Sequence, residues 1–247
     1  RDNTLSNMLV KKFNPSEVMK SGLVGKGDFG YYDLFYDRIM FPLYNLNGQV
    51  VAYSGRIYNK EDNAKYFNTR ETEIFKKGEL LYNYHRAKSS ARQKNVVIVM
   101  EGFMDVIRAH SVGIKNVIAT MGTAVTKEQA DLIKRMAKEV ILCFDGDAAG
   151  AKATESCIRE LGKAGVIPKI IRLEDDLDPD EYILKYGYES FQRRIDNPIS
   201  VMDFELRYLK EGKDLTSPED QARYINEVIG EINKIDDDIL REVTIKK

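Results

Sequence analysis

Cysteine and histidine are scarce in this chain. Cys143 and Cys157 are the only cysteines and neither belongs to a CxxC, which argues against a disulfide framework and a structural zinc site and fits a reducing compartment. The two histidines, His85 and His110, stand far apart in sequence and give a catalytic His–Ser or His–Cys pairing little to build on. No apolar run approaches the length of a membrane span, so no membrane partner is expected. Internal repeats and low-complexity segments are absent, and a composition of 43% hydrophobic and 31% charged residues excludes disorder. The chain opens at Arg1 with no Met or signal-like region and reaches Lys247 with no helix C-cap signal, which reads as a piece of a longer protein.

What is present is a charge asymmetry under a net charge of −1. Residues 1–100 carry 16 Lys+Arg against 10 Asp+Glu, a balance of +6; residues 101–247 carry 22 against 29, a balance of −7. A basic half beside an acidic half suits an anionic substrate held between positive side chains and bound cations.

"IMFPLYNLNGQVVAYSGRIY" reads as a hairpin, two β-rich runs flanking the Asn47-Gly48 turn. From Asn95 the pattern changes. Val96–Met100, Val117–Thr120, Val140–Phe144 and Lys169–Leu173 are short apolar runs, and helical stretches follow from Met104, near Thr126–Lys138, near Ala148–Ala164 and from about Pro179. This alternation predicts a parallel sheet covered on both faces. Beyond Glu189 the chain reads as helical, with Ile225, Val228, Ile229, Ile232 and Ile235 at helical spacing. The expected organisation is α/β: a small basic α+β subdomain over residues 1–94, the parallel-sheet module over 95–188, and a helical segment over 189–247.

Ligands of open parallel sheets bind beyond the carboxyl ends of the strands, and acidic residues fall at those ends here. Glu101 follows the first strand, Asp145 and Asp147 the third, and Asp178 and Asp180 the fourth; Asp105 lies one helical turn beyond Glu101. Asp178-Pro179-Asp180-Glu181 is also a good helix start, with Asp as N-cap and Pro at the first position. Asp145-Gly146-Asp147 is harder to explain as a cap, because two carboxylates so close raise a pKa or demand a counter-ion. Hard divalent cations take oxygen ligands, and Mg²⁺ takes a few carboxylates together with substrate phosphates. The acidic pair therefore reads as the anchor of a Mg²⁺ site for phosphate chemistry.

"VMEGFMDVI", "FDGDAAG" and "DPDEYI" together resemble the TOPRIM module of bacterial primases, topoisomerases and some nucleases. The flanking "DRIMFPL", "SGRIY", "AKYFNT", "IFKKGELLYN" and "ATMGT", in that order, resemble the RNA-polymerase domain of the DnaG-type bacterial primase over nearly the whole chain. The resemblance implies synthesis of short RNA primers from NTPs on a single-stranded DNA template in the bacterial cytoplasm, with two or more Mg²⁺ or Mn²⁺ ions and no zinc in this part of the protein. It implies catalytic roles for Glu101, Asp105, Asp145 and Asp147, metal ligation by Glu101, Asp145, Asp147, Asp178 and Asp180, and nucleotide or template contacts from Arg38, Arg56, Lys65, Tyr66, Asn68 and Lys77. The replicative helicase is an expected partner through a domain lying outside this sequence, and the family's zinc module has no counterpart in it. One departure stands out: the family's "NSPET" is Asn68-Thr69-Arg70-Glu71-Thr72 here, with Arg in place of proline.

Three other readings place chemistry differently. An aspartyl-phosphate phosphatase would use Asp145 as nucleophile, but it usually carries Thr or Val where this chain has Ala149, and it leaves Glu101 idle. A TOPRIM nuclease or topoisomerase is the second, the latter needing a nucleophilic Tyr that nothing among the 14 tyrosines marks out. The third is a divalent-dependent nucleic-acid-binding module without catalysis.

Overall fold

A computed structural model of the chain describes residues 3–58, 66–121, 124–233, 241–242 and 245. In chain order the N-terminal part comprises α1 (Thr4–Lys12), α2 (Pro15–Lys20), β1 (Val24–Gly27), β2 (Gly30–Asp33), β3 (Arg38–Tyr44), β4 (Val50–Ile57) and β5 (Tyr66–Asn68). The expected hairpin is β3–β4, antiparallel, and β5 extends it on the β4 side. Gly48 supplies the turn at φ +81°, a conformation other residues rarely adopt. A second, two-stranded sheet pairs β1 with β2, and Asp33 at its end accepts the backbone N–H groups of Leu5 and Ser6 at 3.1 and 2.6 Å, closing the start of α1.

The parallel module follows: α3 (Tyr84–Lys94), β6 (Val96–Met100), α4 (Phe103–Ser111), β7 (Val117–Ala119), α5 (Lys127–Lys134), β8 (Glu139–Cys143), α6 (Ala148–Lys163) and β9 (Lys169–Ile170). Its strand order is β7-β6-β8-β9, all parallel. Alternate residues feed two cores. Val97, Val99 and Leu142 pack with Ala87, Ala91, Ile133 and Leu161 on one face; Ile98, Met100 and Ile141 pack with Val106, Tyr182 and Phe191 on the other. Burial on both faces is why these strands read as continuous apolar runs rather than as alternating ones. The chain leaves β6 toward one edge of the sheet and leaves β8 toward the other, so the loops after these strands diverge and open a crevice.

Two latches hold the N-terminal part against this crevice. Tyr82 and Ala119 exchange backbone hydrogen bonds at 2.9 and 3.2 Å, adding a bridge at the edge strand β7. Thr126 and Gln129, at the start of α5, bind the carbonyls of Gly78 and Leu80 at 2.5 and 2.7 Å. The C-terminal part is helical, with α7 (Pro179–Asp196), α8 (Val201–Tyr208) and α9 (Pro218–Ile232). The apolar stripe expected there falls on α9, where Ile225 and Ile229 remain exposed; Ile235 lies outside the described residues. Among the described residues no helix is long and apolar enough to cross a membrane.

Candidate active site

Glu101 begins the loop after β6, and Asp145 follows β8 by one residue. Hydrogen-bonded neighbours in the sheet, these strands end level with one another, Met100 opposite Cys143. Register alone therefore delivers both carboxylates to the divergence point. Asp145 is held there by close packing. Its carbonyl oxygen lies where a Cβ on Gly150 would fall, 2.1 Å away, so only glycine fits at the first turn of α6. Gly146 N–H donates to the Leu177 carbonyl at 3.0 Å and ties this loop to the segment that carries Asp178.

A cavity of about 250 Å³ opens at this point. Glu101, Asp105, Asp145 and Asp178 form one wall; Tyr66, Asn68, Lys77 and Ser54 form the other; Leu43, Phe75, Phe103, Met104 and Met121 give it an apolar lining. The acidic wall is electrostatically strained. Burial, then the charges of Glu101, Asp178 and Asp147, pushes the Asp145 pKa up to about 7. Burial, then Asp145 and Asp178, pushes Asp105 up to about 7 as well. Glu101 and Asp178 are also raised, chiefly by burial. Glu101 Oε2 is buried with no hydrogen-bond partner among the described residues.

Several of these acids also serve the backbone. Asp147 caps α6 by accepting Gly150 N–H at 2.7 Å, and Asp178 caps α7 by accepting Glu181 N–H at 2.7 Å. Asp105 accepts the N–H groups of Gly102 at 3.0 Å and Asp180 at 3.4 Å. Asp178 is thus both the helix cap and a cavity residue. The Asp180 carboxylate, by contrast, is engaged by Arg108 Nε at 2.5 Å, and it reaches the cavity only through its backbone contact with Asp105. Asp147 stands exposed beside the cavity rather than in its lining.

Strand parity sorts the expected basic and aromatic contacts. Arg56 pairs across the ladder with Tyr66, and Ser54 with Asn68, so these four share one face. The Arg56 guanidinium lies 5.5 Å from the Tyr66 ring centroid. Arg38 faces the other way: it donates to the Gly55 carbonyl at 3.1 Å and lies 5.8 Å from the Phe67 ring centroid, away from the cavity. Lys65 lies outside the described residues. Without the family's proline, the segment after β5 is closed by Thr72, whose Oγ1 accepts the N–H groups of Ile74 and Phe75 at 3.3 and 3.1 Å, while Arg70 stands exposed.

Two lining features escaped the sequence reading. Phe103 is the hub on which the walls meet, with ring centroids 4.8 Å from Phe41, 5.2 Å from Tyr66 and 5.5 Å from Tyr82. Ser54 is the other, and the two-residue period of the strand carrying Arg56 would have found it.

The donor set fits a hard divalent cation. It is made of oxygens only, one of them buried and unpartnered, with neighbours whose pKa values are raised first by burial and then by one another's charge. Among the described residues no three acidic, His or Cys side chains are already closed to coordinating geometry.

Family models match the chain in the same order as its three structural parts. One described as the N-terminal domain of the DNA primase catalytic core covers residues 1–88, and a Toprim-like model covers 98–183. A solved DnaG primase catalytic domain bound to ssDNA is 31% identical, with a TM-score of 0.78 over 96% of this chain and 79% of that one. This chain belongs to the DnaG-type DNA primase family. A DNA primase domain from Pseudomonas aeruginosa is 30% identical, with a TM-score of 0.80 over 98% of this chain and 77% of that one. The DNA primase of Halalkalibacterium halodurans is 39% identical over 96% of this chain, but the match takes in 40% of that protein. The chain thus spans less than half the length of the curated primases it matches. One expectation is corrected by these matches. A helicase-docking segment was expected only outside this sequence, yet residues 202–247, which take in α8 from its second residue and the whole of α9, match the DnaB-helicase binding domain of primase. That segment has no chemical motif to mark it, only a helical period with an exposed apolar stripe.

Proposed function

We propose that the cavity is the nucleotidyl-transfer site of an RNA-primer-synthesising enzyme working on single-stranded DNA. The observation that carries this reading is the facing of two walls: carboxylates delivered by strand ends, and Tyr66, Asn68 and Lys77 from the N-terminal part, around one cavity. Glu101, Asp145 and Asp178 would hold two or more Mg²⁺ or Mn²⁺ ions, with Asp147 joining from the rim. Bound there, such ions supply Lewis-acid stabilisation of the phosphate and of the attacking and leaving oxygens. Lys77 balances charge on the triphosphate, and Tyr66 with Arg56 above its ring offers a stacking surface for a base or the template. Asp105 orients the loop after β6 through Gly102 and receives Asp180, which Arg108 fixes. The phosphatase reading leaves both Glu101 and the opposite wall unused.

The partners on this reading are an NTP, the RNA primer, the DNA template and, through residues 202–247, the replicative helicase; the setting is the bacterial cytoplasm. The solved relative bound to ssDNA supports the template, and the helicase-binding match supports the last partner. We also propose the division 1–94, 95–188 and 189–247, with α3 shared, because its Tyr84, Ala87 and Ala91 pack in the core of the parallel sheet. Divalent-dependent NTP incorporation onto a supplied RNA primer on single-stranded DNA tests the function. No incorporation at any Mg²⁺ or Mn²⁺ concentration would overturn it.

A further inference from the structure

Two residues that line the cavity carry a buried polar atom without a hydrogen-bond partner among the described residues, Glu101 Oε2 and Ser54 Oγ. A cation accounts for the first. It does not account for the second, which lies on the opposite wall in the middle of β4, 1% exposed. The ladder beside it shows how such a hydroxyl is ordinarily used. Thr69 Oγ1 accepts Tyr53 N–H at 2.9 Å and donates to the Tyr53 carbonyl at 3.1 Å. A buried hydroxyl left without a partner is unfavourable until a ligand supplies one.

Leu43, Phe75 and Met121 share the cavity with Ser54, and Asn68 is its cross-strand partner. The matching ligand group is uncharged, hydrogen-bonding and carried on a largely apolar body. On the functional reading above, on which this inference rests, nucleotides bearing any of the bases enter the same site, and the template reads the base edge. A fixed protein hydroxyl reads what all of them share. The phosphates go to the cations and Lys77, which leaves the sugar. We propose that Ser54 is a specificity-determining residue that hydrogen-bonds the ribose 2′-hydroxyl of the incoming nucleotide and so selects ribonucleotides over deoxyribonucleotides. A site built to pair with a hydroxyl rejects the analogue lacking it, because its own buried group is then left unpaired.

The test measures equilibrium binding of ATP, 2′-deoxy-ATP and 3′-deoxy-ATP with Mg²⁺ to the 247-residue chain and to its Ser54→Ala and Ser54→Thr variants. KM for ribo- and deoxynucleotides in primer extension is measured alongside. The unaltered chain should prefer ATP over 2′-deoxy-ATP by about tenfold. Ser54→Ala should bind ATP about tenfold more weakly and 2′-deoxy-ATP as before, so that the preference collapses, while Ser54→Thr retains it. Three results would overturn the inference alone: a preference that survives Ser54→Ala, an equal loss for ATP and 2′-deoxy-ATP, or an effect that follows the 3′-hydroxyl. An unaltered chain that binds no nucleotide with Mg²⁺ would bring down the functional reading and this inference with it.

Discussion

On one side of the cavity each carboxylate stands at the end of a strand, or on a helix packed against strands, whose side chains are sealed in two cores; Val97, Ile98, Val99 and Met100 are fully buried. On the other side the wall belongs to a three-stranded antiparallel sheet with a much smaller core of Leu43, Ala52, Phe75 and Leu80, and with Ile39 and Met40 open to solvent. The acids are positioned by sheet register and close packing. The aromatic and basic side chains are positioned by strand parity, ring contacts and the two latches at Tyr82 and Gln129. A cation site tolerates little displacement of its ligands, whereas a surface that admits different bases and a moving strand gains from a shallower hold. On the proposed reading, the difference in construction follows a difference in task.

The comparison can be broken most severely on the rigid side. Asp145→Asn combined with Asp147→Asn should lower divalent-dependent incorporation by at least about 100-fold. The fold should persist, because Asn still caps α6 and two repelling charges are gone. Primer extension with circular dichroism checks both halves, and near-normal extension would sink the ligand assignment.

Next in size is Gly150→Ala. Its methyl group would fall 2.1 Å from the Asp145 carbonyl oxygen, and the loop must shift. Stability should drop by about 1–3 kcal/mol, and Mg²⁺ affinity should fall with it. Urea denaturation and calorimetric titration measure these; an unchanged Mg²⁺ affinity would mean that the loop is not held as rigidly as its packing implies.

On the adaptable side the expected effect is smaller and of another kind. Lys77→Ala should weaken nucleotide or template binding by about three- to tenfold and flatten the salt dependence of DNA binding. The melting temperature should barely move, since Lys77 belongs to neither core. A large loss of stability would erase the distinction between the walls.

The last test sharpens the electrostatic half of the comparison. Asp105 and Asp145 titrate near 7 in the folded chain against 3.8 for the ordinary group. The folded state therefore holds more protons than the unfolded one between these values. Their contribution is fully present below pH 3.8 and is lost as pH rises through about 7. In chelator the melting temperature should fall over that window, and Mg²⁺ should offset the fall at its upper end. A profile unaffected by Asp105→Asn would contradict the assigned origin of the strain.

The parallel sheet was the most legible part of the sequence. Val96–Met100 is recovered residue for residue, and the strand runs beginning at Val117 and Lys169 keep their first residue. Apolar runs buried on both faces are a local signal, and so are Asn47-Gly48 and Asp178-Pro179. Of the candidate site, Glu101 and Asp145 were legible because strand ends converge by topology before any side chain is placed, Asp105 because it lies one helical turn beyond Glu101, and Asp178 because it opens a helix with Pro179. Arg38 shows what family order leaves out: it says nothing about parity, and parity turns that side chain to the face away from the cavity. Phe103, Arg108 and the β1–β2 hairpin were invisible for a different reason. Their partners lie far along the chain, Arg108 finding Asp180 and Phe103 finding Phe41, and no local period announces such contacts.

Asp147 and Asp178 each answer to two masters, a backbone amide at a helix start and, on the proposed reading, a cation. Each demand alone is permissive. Asn, Ser or Thr would serve the amide, and Glu would serve the cation. Taken together they leave no substitute: the neutral caps bring no charge, and Glu is a methylene too long to close the same ring onto the amide. Glu101 is under one of these demands only, with no backbone amide to satisfy. Random mutagenesis scored for activity should therefore find Glu101 more forgiving of Asp than Asp147 or Asp178 are of Glu. The residues most resistant to drift would then be those whose second duty is purely architectural.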